Sequence, residues 1–435
     1  MLAALSSPGG PAYGQEATTA ARHIDAERLQ HTLEKLSEIG RNPEGGVTRL
    51  GLSQAELDAR QYVISLMKES GLEVRIDPAG NVYGRRAGSA KLPVLLFGSH
   101  VDSVPHGGSF DGSVGTLGAI EVMRALNDRH VKTRHPLEAV VWTKEEGPHF
   151  GFSALGSSVA AGTLGPEILD RKDDEGLTIA DWLKRYGQDP SRLAEARIPA
   201  GSLAAIIELH IEQGPNLEEN KVQIGVVQGI VGLKRWKCIA TGVANHAGTT
   251  PMNRRKDALA AAAKDLLAVR EVVRAEPGRQ VGTVGYMRAE PGAPNVIPGR
   301  VEFPVELRDL NAATIERMWE RIQQRFAQTD SEEGVETRCA VINDIAPALS
   351  DPSVQSVIRT AARSAGLSTA DLPSGAVHDA GEISRLAPMG MIFVPSRDGI
   401  SHAPKEFSSW DDIANGAEVL YRTVLELDRH AIHAR

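Results

Sequence analysis

The chain contains 435 residues with a net charge of −8, and only 4% of its residues are aromatic. This length exceeds what one ordinary core spans, and the surplus of small aliphatic over aromatic residues suits a close-packed α/β protein of two domains. Basic and acidic residues are interspersed without a basic stripe, and no apolar run reaches the ~20 residues that cross a bilayer, so neither nucleic acid nor a membrane is an expected partner.

The N-terminal segment and the cysteines bear on the compartment. Residues 1–20 are predicted to be a disordered leader, because the small-residue step before Gln15 resembles a cleavage site but the segment lacks a basic head. Cys238 and Cys339 are far apart in sequence and could pair only if the fold brought them together. We therefore expect reduced cysteines and a cytoplasmic protein, with export as the alternative if residues 1–14 end a signal peptide.

The N-terminal half alternates helices and strands. The apolar spacing in ERLQHTLEKLSEIG and QAELDARQYVISLMKESG predicts two helices, with Gly40 and Gly71 as C-terminal stops. The segments LEVRIDP and VYGRRAG then resemble an antiparallel hairpin at a sheet edge. The strand VLLFGSH, the helix GTLGAIEVMRALNDR and the strand LEAVVWT follow. This order predicts a mixed, mostly parallel sheet wound with helices.

A second unit is predicted between residues 215 and 341. It contains the strand LKRWKCIATG, a helix from about residue 254 to 274, the strands QVGTVGYMRA and RVEFPVELRD, a helix that Asn311 can cap, and the strand ETRCAVI. The order β-α-β-β-α-β is that of an α+β ferredoxin-like domain. Because alternating helix and strand resume with SVQSVIRTAARSAG, the unit is predicted to be an insertion, and residues 21–214 and 342–435 form the main domain.

Several predicted strands lead to side chains that bind metals. The set consists of His100 and Asp102 in VLLFGSHVD, Asp111 in GGSFDGS, Glu145 and Glu146 after LEAVVWT, His210 in AAIIELH, and His402 in MIFVPSRDGISH. In open α/β sheets, ligands bind beyond the carboxyl ends of the strands. A single histidine is more often a hydrogen-bonded imidazole than a ligand, but this combination supplies ligands for two divalent metals and a general base.

These motifs, together with LGSSVAAG, NHAGTTPM, PNVIPG and ELRD, resemble a known family. From about residue 25 to the C-terminus the chain is similar to the metal-dependent amidohydrolases that include N-carbamoyl-L-amino acid hydrolases, allantoate amidohydrolases and β-ureidopropionases, which are relatives of the M20 peptidases. The resemblance implies a zinc-peptidase-like catalytic domain, an inserted lid domain that forms a homodimer, and two divalent ions per subunit. Histidine and carboxylate sites accept Zn, Mn, Co or Ni, so the metal is left open.

The resemblance also implies a role for each matching residue. One metal would be held by His100, Asp111 and His210, and a second by Asp111, Glu146 and His402, with Asp111 as the bridge. Glu145 is then the general base, and the alternative for it is a surface glutamate in an ion pair. Asp102 lies two residues after His100 on the same side of an extended strand, so we expect it to accept the other ring N–H of that histidine.

The inserted unit carries polar residues that the resemblance assigns to the substrate. His246 would stabilise the oxyanion, either in its own site or in that of a neighbouring subunit, and the alternative is a turn histidine. Asn295 and Arg308 resemble a substrate-carboxylate clamp, because a planar guanidinium binds a carboxylate through two hydrogen bonds. The alternative for Arg308 is an ion pair with Asp309 or Asp265.

Two further residues are expected beside the substrate. Gln213 in HIEQG is a candidate contact to the ureido group, with a plain loop residue as the alternative. His378 in SGAVHDA is the second candidate. Val377 stands where relatives usually have glycine, and a β-branched residue does not easily adopt a positive φ. If that glycine is needed for its backbone, the loop is expected to differ here.

The predicted activity is hydrolysis of a carbamoyl or ureido C–N bond in a small carboxylate substrate. N-carbamoyl-L-amino acids are favoured over allantoate and 3-ureidopropionate. An M20-type dipeptidase or aminoacylase is the runner-up, and HIEQG with NHAGTTPM argues for the ureido branch. A hypothesis from another class is a catalytically silent, metal-stabilised dimer that serves as a binding module, against which the presence of Glu145 argues.

Overall fold

The computed structural model describes residues 22–429, and the leader predicted at residues 1–20 lies outside them. The helices are α1 (Ala26–Ser37), α2 (Gln54–Glu69), α3 (Ser113–Asp128), α4 (Leu155–Ala161), α5 (Ile179–Arg185), α6 (Asn216–Glu219), α7 (Ala258–Ala275), α8 (Ala312–Glu333), α9 (Pro352–Ser364), α10 (Asp379–Ile383) and α11 (Trp410–Arg429).

The strands follow the order that the sequence predicts, with several short additions. They are β1 (Glu73–Ile76), β2 (Val82–Arg86), β3 (Val94–His100), β4 (Leu137–Trp142), β5 (Leu203–Ile211), β6 (Ile224–Ile230), β7 (Gly232–Thr241), β8 (Asn245–His246), β9 (Val281–Thr283), β10 (Arg288–Glu290), β11 (Val296–Ile297), β12 (Arg300–Asp309), β13 (Glu336–Ile345), β14 (Ala348–Leu349), β15 (Thr369–Ser374) and β16 (Met389–Val394).

The larger sheet has nine strands in the order β1-β2-β4-β3-β5-β16-β6-β14, and β15 pairs with β6. The hairpin β1-β2 lies at one edge, as predicted, and β4, β3, β5 and β16 run parallel to one another. The strand β6 pairs antiparallel with β16. The mixed, mostly parallel sheet predicted from the sequence is therefore confirmed.

Helices cover both faces of this sheet, so its central strands are buried on both sides. On β3, Leu95 and Phe97 face a core that includes residues of α1, α2, α3, α9 and α11, whereas Leu96 faces a second core with residues of α4 and α10. This alternation is the two-residue period of a strand. Burial on both faces leaves the loops at the carboxyl ends of the strands as the place for a site.

A second, antiparallel sheet has the order β10-β12-β7-β13, with β9 paired to β12. The helices α7 and α8 pack on it around a separate core. Asn311 caps α8 by accepting a hydrogen bond from Ala313 N–H, and the apolar residues along one side of that helix are buried. Residues 224–230, which follow the predicted boundary at residue 215, pair within the larger sheet. The domain boundaries and the lid function of the second sheet stay predictions.

Cys238 and Cys339 form a disulfide, so the prediction of reduced cysteines is wrong. The strands β7 and β13 are antiparallel neighbours, and their register places the two cysteines directly opposite each other, with Cα atoms 4.1 Å apart. A pairing that spans 101 residues of sequence depends on that register and is not visible in the cysteine spacing. The compartment stays a prediction.

Among residues 22–429, no helix combines the length and apolarity that a membrane span requires.

Asp265 on α7 is a buried acid that is only partly satisfied. Its Oδ2 accepts one hydrogen bond of 3.4 Å from Thr337 Oγ1, while its Oδ1 has no partner. Burial, with a contribution from the nearby Asp330 carboxylate, raises the pKa of Asp265 to about 7. The folded protein therefore holds this carboxyl protonated at a pH where the unfolded chain releases the proton.

We predict that Asp265→Asn stabilises the protein, and does so more at pH 8 than at pH 5. The contribution of the Asp265 carboxyl to stability is fully present below the ordinary pKa of an aspartate. It is lost as pH rises toward 7, because burial opposes ionisation of this group in the folded state. Denaturant unfolding at the two pH values should give a gain of ~1 kcal/mol or more at pH 8. Equal stability of the parent and the variant at pH 8 would contradict the assignment.

Candidate active site

The carboxyl ends of four parallel strands bring the predicted metal residues together. His100 ends β3, and His210 lies one residue before the end of β5. The loop after β4 carries Glu145 and Glu146, and the loop after β16 carries His402. Asp111 lies two residues before the start of α3, whose first turn faces the same edge of the sheet. Residues separated by up to 302 positions in the chain thus share one place in the fold.

Asp111 lies at the centre of the cluster. Its Oδ1 is 3.5 Å from His100 Nε2 and 3.1 Å from His210 Nε2. Its Oδ2 is 3.1 Å from His402 Nε2, which in turn is 3.4 Å from Glu146 Oε1. Among the described residues there are three groups of three candidate ligands, and two of them include Asp111: one with His100 and His210, the other with Glu146 and His402. The third group consists of Glu208, His210 and His378. The sharing of Asp111 by two groups is the arrangement that its predicted bridging role requires.

The two histidines at the ends of β3 and β5 are held in the same way. His100 Nδ1 lies 3.1 Å from the backbone oxygen of Asp102, and His210 Nδ1 lies 2.9 Å from the backbone oxygen of Ile211. A ring nitrogen that donates to a carbonyl leaves the other nitrogen as an acceptor. Gly112 N–H donates to His210 Nε2, which agrees with that tautomer. Both rings therefore present Nε2 toward Asp111.

Asp102 has more partners than the sequence predicts. Its carboxylate lies 3.4 Å from His100 Nδ1, on the side where it was expected. It also accepts the backbone N–H of Glu145 at 3.1 Å and of Glu146 at 2.9 Å. The hydrogen bond of His100 Nδ1 goes to the backbone oxygen of Asp102, so the fully buried carboxylate serves mainly to hold the glutamate pair after β4.

Like charges crowd this site and shift the pKa values of its residues. Burial, together with the neighbouring Glu146, raises the pKa of Glu145 well above its usual range. Burial and the nearby Asp111 raise the pKa of Glu146 to about 7. Although burial opposes its ionisation, the three neighbouring histidines hold the pKa of Asp111 well below its usual range. Hydrogen bonding to Asp111 raises the pKa of His402 to about 9.

The donor chemistry of the cluster fits divalent cations. Imidazole nitrogens and carboxylate oxygens are the ligands that zinc and related metals take, and the candidate atoms in each group lie within 4.8 Å of one another. The Gln213 amide nitrogen lies 2.7 Å from Asp111 Oδ2 and 3.3 Å from His402 Nε2. An N–H donor therefore points at two atoms that a cation would bind, and the partner oxygen of that amide is buried without a hydrogen bond.

Glu145 lies beside the cluster and outside all three ligand groups. Its Oε2 is 4.0 Å from His100 Nε2, and its side chain is buried. The residue before it, Lys144, has a left-handed backbone with φ of 52°. The Lys144 ammonium donates to the backbone oxygens of Glu146 and Phe152. The turn that presents the two glutamates is therefore tied back from within the protein.

A cavity of about 710 Å³ adjoins the cluster and is lined by residues of both sheets. Gln213 and His402 belong to its lining, and so does Arg308 of β12. Arg308 donates to Glu306 Oε1 at 2.8 Å and to the backbone oxygen of Gly375 at 2.7 Å. Its ion pair is therefore with Glu306, and neither Asp309 nor Asp265 is the partner that the sequence offered.

His378 is buried against the cluster. Its ring centroid lies 4.5 Å from that of His210, and its Nε2 lies 2.8 Å from Ser374 Oγ. Burial and the neighbouring His210 hold the pKa of His378 well below its usual value, so the ring is neutral. Val377 is not one of the described residues that have a positive φ. The β-branched residue at this position therefore introduces no backbone strain.

His246 and Asn295 lie together but apart from the cavity. His246 ends the exposed strand β8, and Asn295 directly precedes β11, the strand that pairs with β8. Ala247 N–H donates to the backbone oxygen of Asn295. Neither residue is part of the described cavity lining. His246 Nδ1 accepts N–H groups from Gly248 and Thr249, at 3.0 and 3.2 Å. The ring nitrogen that carries a proton is therefore Nε2, which is an outward-facing donor.

Sequence reasoning missed several buried groups around the cluster. Glu208 accepts hydrogen bonds from Ser99 Oγ and from Ala380 N–H. Glu406 accepts backbone N–H groups beside Asp111 and His402. Glu208 lies inside the motif AAIIELH, which is the sequence signal for it, whereas Lys144 and Glu406 follow LEAVVWT and MIFVPSRDGISH by one and four residues.

Comparison with known proteins places the chain in a family. The family model described as peptidase family M20/M25/M40 matches residues 96–426. An N-carbamoyl-L-amino acid amidohydrolase from Geobacillus stearothermophilus is 44% identical over 405 residues, which cover 93% of this chain and 99% of that protein. An allantoate amidohydrolase from Bacillus subtilis strain 168 is 34% identical over 395 residues, which cover 89% of this chain and 94% of that protein.

A solved structure agrees with these relatives. The amidase of the hydantoinase/carbamoylase family from Burkholderia multivorans superposes with a TM-score of 0.87 at 38% identity, over 95% of this chain and 99% of that chain. The resemblance inferred from the motifs is therefore confirmed, and the histidine and carboxylate clusters are compatible with divalent metal binding. The chain belongs to the M20/M25/M40 peptidase family, and its similarities within that family are to amidohydrolases of the hydantoinase/carbamoylase group.

Proposed function

We propose that the protein hydrolyses the carbamoyl C–N bond of a small carboxylate substrate, most favourably an N-carbamoyl-L-amino acid. The observation that carries this proposal is the pair of ligand groups that share Asp111, with Glu145 beside them and Arg308 in the lining of the adjoining cavity. The names of two relatives, which specify carbamoyl amino acids and allantoate, support the ureido class. Allantoate and 3-ureidopropionate are the alternative substrates, and M20-type dipeptides or N-acyl amino acids come after them.

The proposed site holds two divalent cations, one at His100, Asp111 and His210 and one at Asp111, Glu146 and His402. When bound, such cations supply Lewis acidity, which polarises a carbonyl and lowers the pKa of water. Glu145 takes the proton of the attacking water and delivers it to the leaving nitrogen. The remaining carbamic acid loses carbon dioxide, so the products are the free amino acid, ammonia and carbon dioxide. Histidine and carboxylate ligands suit Zn, Mn, Co and Ni alike.

The substrate carboxylate is proposed to bind Arg308, whose guanidinium is oriented by Glu306 and the backbone of Gly375. Gln213 is proposed to contact the ureido group, with the neutral His378 beside it. The test is ammonia release from N-carbamoyl-L- and D-amino acids, allantoate and 3-ureidopropionate, and amino-acid release from dipeptides, each with defined metals. Release from none of the ureido substrates, with hydrolysis of dipeptides, would overturn the proposal in favour of the peptidase alternative.

The protein is further proposed to form a homodimer through the second sheet. Its edge strand β13 exposes Val341, Ile342 and Ile345, and an edge with apolar side chains favours pairing with another chain. His246 and Asn295 lie outside the cavity of their own chain, which suits donors to the site of a partner. In that site the Nε2–H of His246 would stabilise the oxyanion.

Mutation should distinguish the roles of the adjacent Glu145 and Glu146. Glu145→Gln is expected to lower kcat by about 10² to 10⁴-fold with the metal content unchanged, because the amide keeps the shape but cannot carry a proton. Glu146→Gln is the matched control and should lose bound metal as well as activity. Steady-state kinetics with metal analysis by mass spectrometry measure both. Unchanged turnover of every substrate by Glu145→Gln would rule out its role as the base.

Metal binding should release protons and strengthen as pH rises. In the metal-free protein the pKa of Glu146 is about 7 and that of His402 is about 9, so both hold protons at neutral pH that a cation must displace. Calorimetric titration of the metal-free protein in buffers of different ionisation enthalpy gives the proton count. An affinity that stays constant from pH 6 to pH 9 would show that these groups are not ligands.

Two inactive variants should complement each other if His246 serves the partner's site. Mixing Glu145→Gln with His246→Ala after dissociation and reassociation creates mixed dimers with one intact site, and random pairing restores about a quarter of the parent activity. The controls are each variant alone, carried through the same steps. A mixture no more active than its components, or a monomer in sedimentation, would contradict the partner role.

A further inference from the structure

Glu406 is a buried carboxylate that the proposed chemistry does not use. It lies four residues after His402, and only 5% of its surface is exposed. A carboxylate at this depth, next to a cluster of other acids, is costly unless its oxygens are hydrogen-bonded. The partners of its two oxygens therefore indicate what it does.

One oxygen of Glu406 holds the loop that carries Asp111. Its Oε1 accepts the backbone N–H of Phe110 at 3.0 Å and the backbone N–H of Asp111 itself at 3.1 Å. These are charge-assisted hydrogen bonds to two consecutive peptide groups, and they fix the plane of the backbone from which the Asp111 side chain projects.

The other oxygen holds the loop that carries His402. Its Oε2 accepts Ser401 Oγ–H at 2.8 Å and the backbone N–H of His402 at 3.3 Å. His402 has a left-handed backbone with φ of 54°, which a residue other than glycine rarely adopts without support from its surroundings. One carboxylate group thus joins two loops whose candidate metal ligands are 291 residues apart.

The close approach of a glycine strengthens this interpretation. A Cβ atom on Gly108 would overlap Oε1 of Glu406. Gly108 does not have a positive φ, so its backbone conformation is open to alanine and the constraint is the space taken by the carboxylate. The loop from Gly108 to Asp111 therefore wraps directly around Glu406.

We propose that Glu406 is a positioning residue that sets the separation of Asp111 Oδ2 from His402 Nε2, which is 3.1 Å. Through this separation it sets the affinity for the cation held by Asp111, Glu146 and His402. The inference rests on the two-cation site of the proposed function. The competing explanation is that Glu406 only ties two loops for stability, with no effect on metal binding.

Glutamine at position 406 separates these explanations. The amide keeps the size of the side chain but has one acceptor oxygen in place of two. That oxygen is best placed against the N–H groups of Phe110 and Asp111, which leaves the NH₂ group facing the N–H of His402. Donor then meets donor, so the His402 loop loses its anchor. The cation site that contains His402 should weaken, and the site formed by His100, Asp111 and His210 should weaken less.

The measurement is Zn²⁺ binding to the metal-free full chain in competition with a chromophoric chelator. The parent is expected to bind two ions, and Glu406→Gln is expected to bind one of them about 10- to 100-fold more weakly, as when groups that orient metal ligands are removed. Gly108→Ala should reproduce this loss, because the added methyl group displaces the carboxylate while leaving Glu406 in place. Far-UV circular dichroism of each metal-free variant tests its folding separately.

Glu418→Gln is the matched control. Glu418 is 2% exposed, and it also accepts two backbone N–H groups from a distant segment, those of His23 and Ile24. The control should lose stability but bind both ions as the parent does. A parent that binds fewer than two ions would refute the two-cation proposal whatever the variants do. Unchanged affinity for both ions in Glu406→Gln, or an equal loss in Glu418→Gln, would overturn the positioning role.

Discussion

The confinement of negative charge at one end of the larger sheet is the constraint on which the site depends. The carboxylates of Asp102, Asp111, Glu145, Glu146, Glu208, Asp379 and Glu406 are all buried there. Ionised groups in a medium of low dielectric repel one another strongly, and protein hydrogen bonds relieve only part of that cost. Histidines keep Asp111 ionised, yet burial still raises the pKa of Glu145 and of Asp379 well above the usual range.

That imbalance gives a physical reason for bound cations. Packing alone would favour replacing buried carboxylates with apolar residues, since an unpaired buried charge destabilises a fold. Divalent ions between Asp111, Glu146 and the histidines would neutralise the cluster and return Glu145 to a range in which it can gain and lose a proton. The buried carboxylates and the proposed reaction therefore both require bound cations. The left-handed backbone at Lys144, Gln213 and His402 is a related cost, concentrated in the loops that present the site.

Much of this arrangement follows from local patterns in the sequence. The buried strands LLFGSH and LEAVVW and the amphipathic α8 are local features, so their periods predict them, and the rule for parallel sheets then predicts that His100, Glu146 and His210 meet. The register between strands, in contrast, is not a local feature of the sequence. The disulfide of Cys238 with Cys339 depends on how β7 pairs with β13, and no spacing in the sequence encodes that pairing. Sequence could also offer partners for Arg308 but could not choose Glu306, two residues away on the same strand.

The roles of buried acids were hidden for the same reason. Asp102 was expected to contact one histidine, but whether its two oxygens also accept the N–H groups of Glu145 and Glu146 depends on the loop after β4. Glu406 resembles any exposed acid of a polar segment until the fold places it between two loops. Residues that act through hydrogen bonds to backbone leave little trace in spacing, because any neighbouring N–H group can serve as the donor.

The division of the site between the two sheets has a consequence for catalysis. The candidate metal ligands and Glu145 lie at the end of the larger sheet, Arg308 belongs to the second sheet, and the proposed oxyanion donor His246 belongs to the exposed strand β8, outside the described cavity lining. If His246 acts in the reaction, substrate bound at Arg308 and the metals is not yet in a complete site. The arrival of His246 would add a hydrogen-bond donor and remove water in the same step. The electrostatic stabilisation of the oxyanion would then gain strength only once the substrate is enclosed.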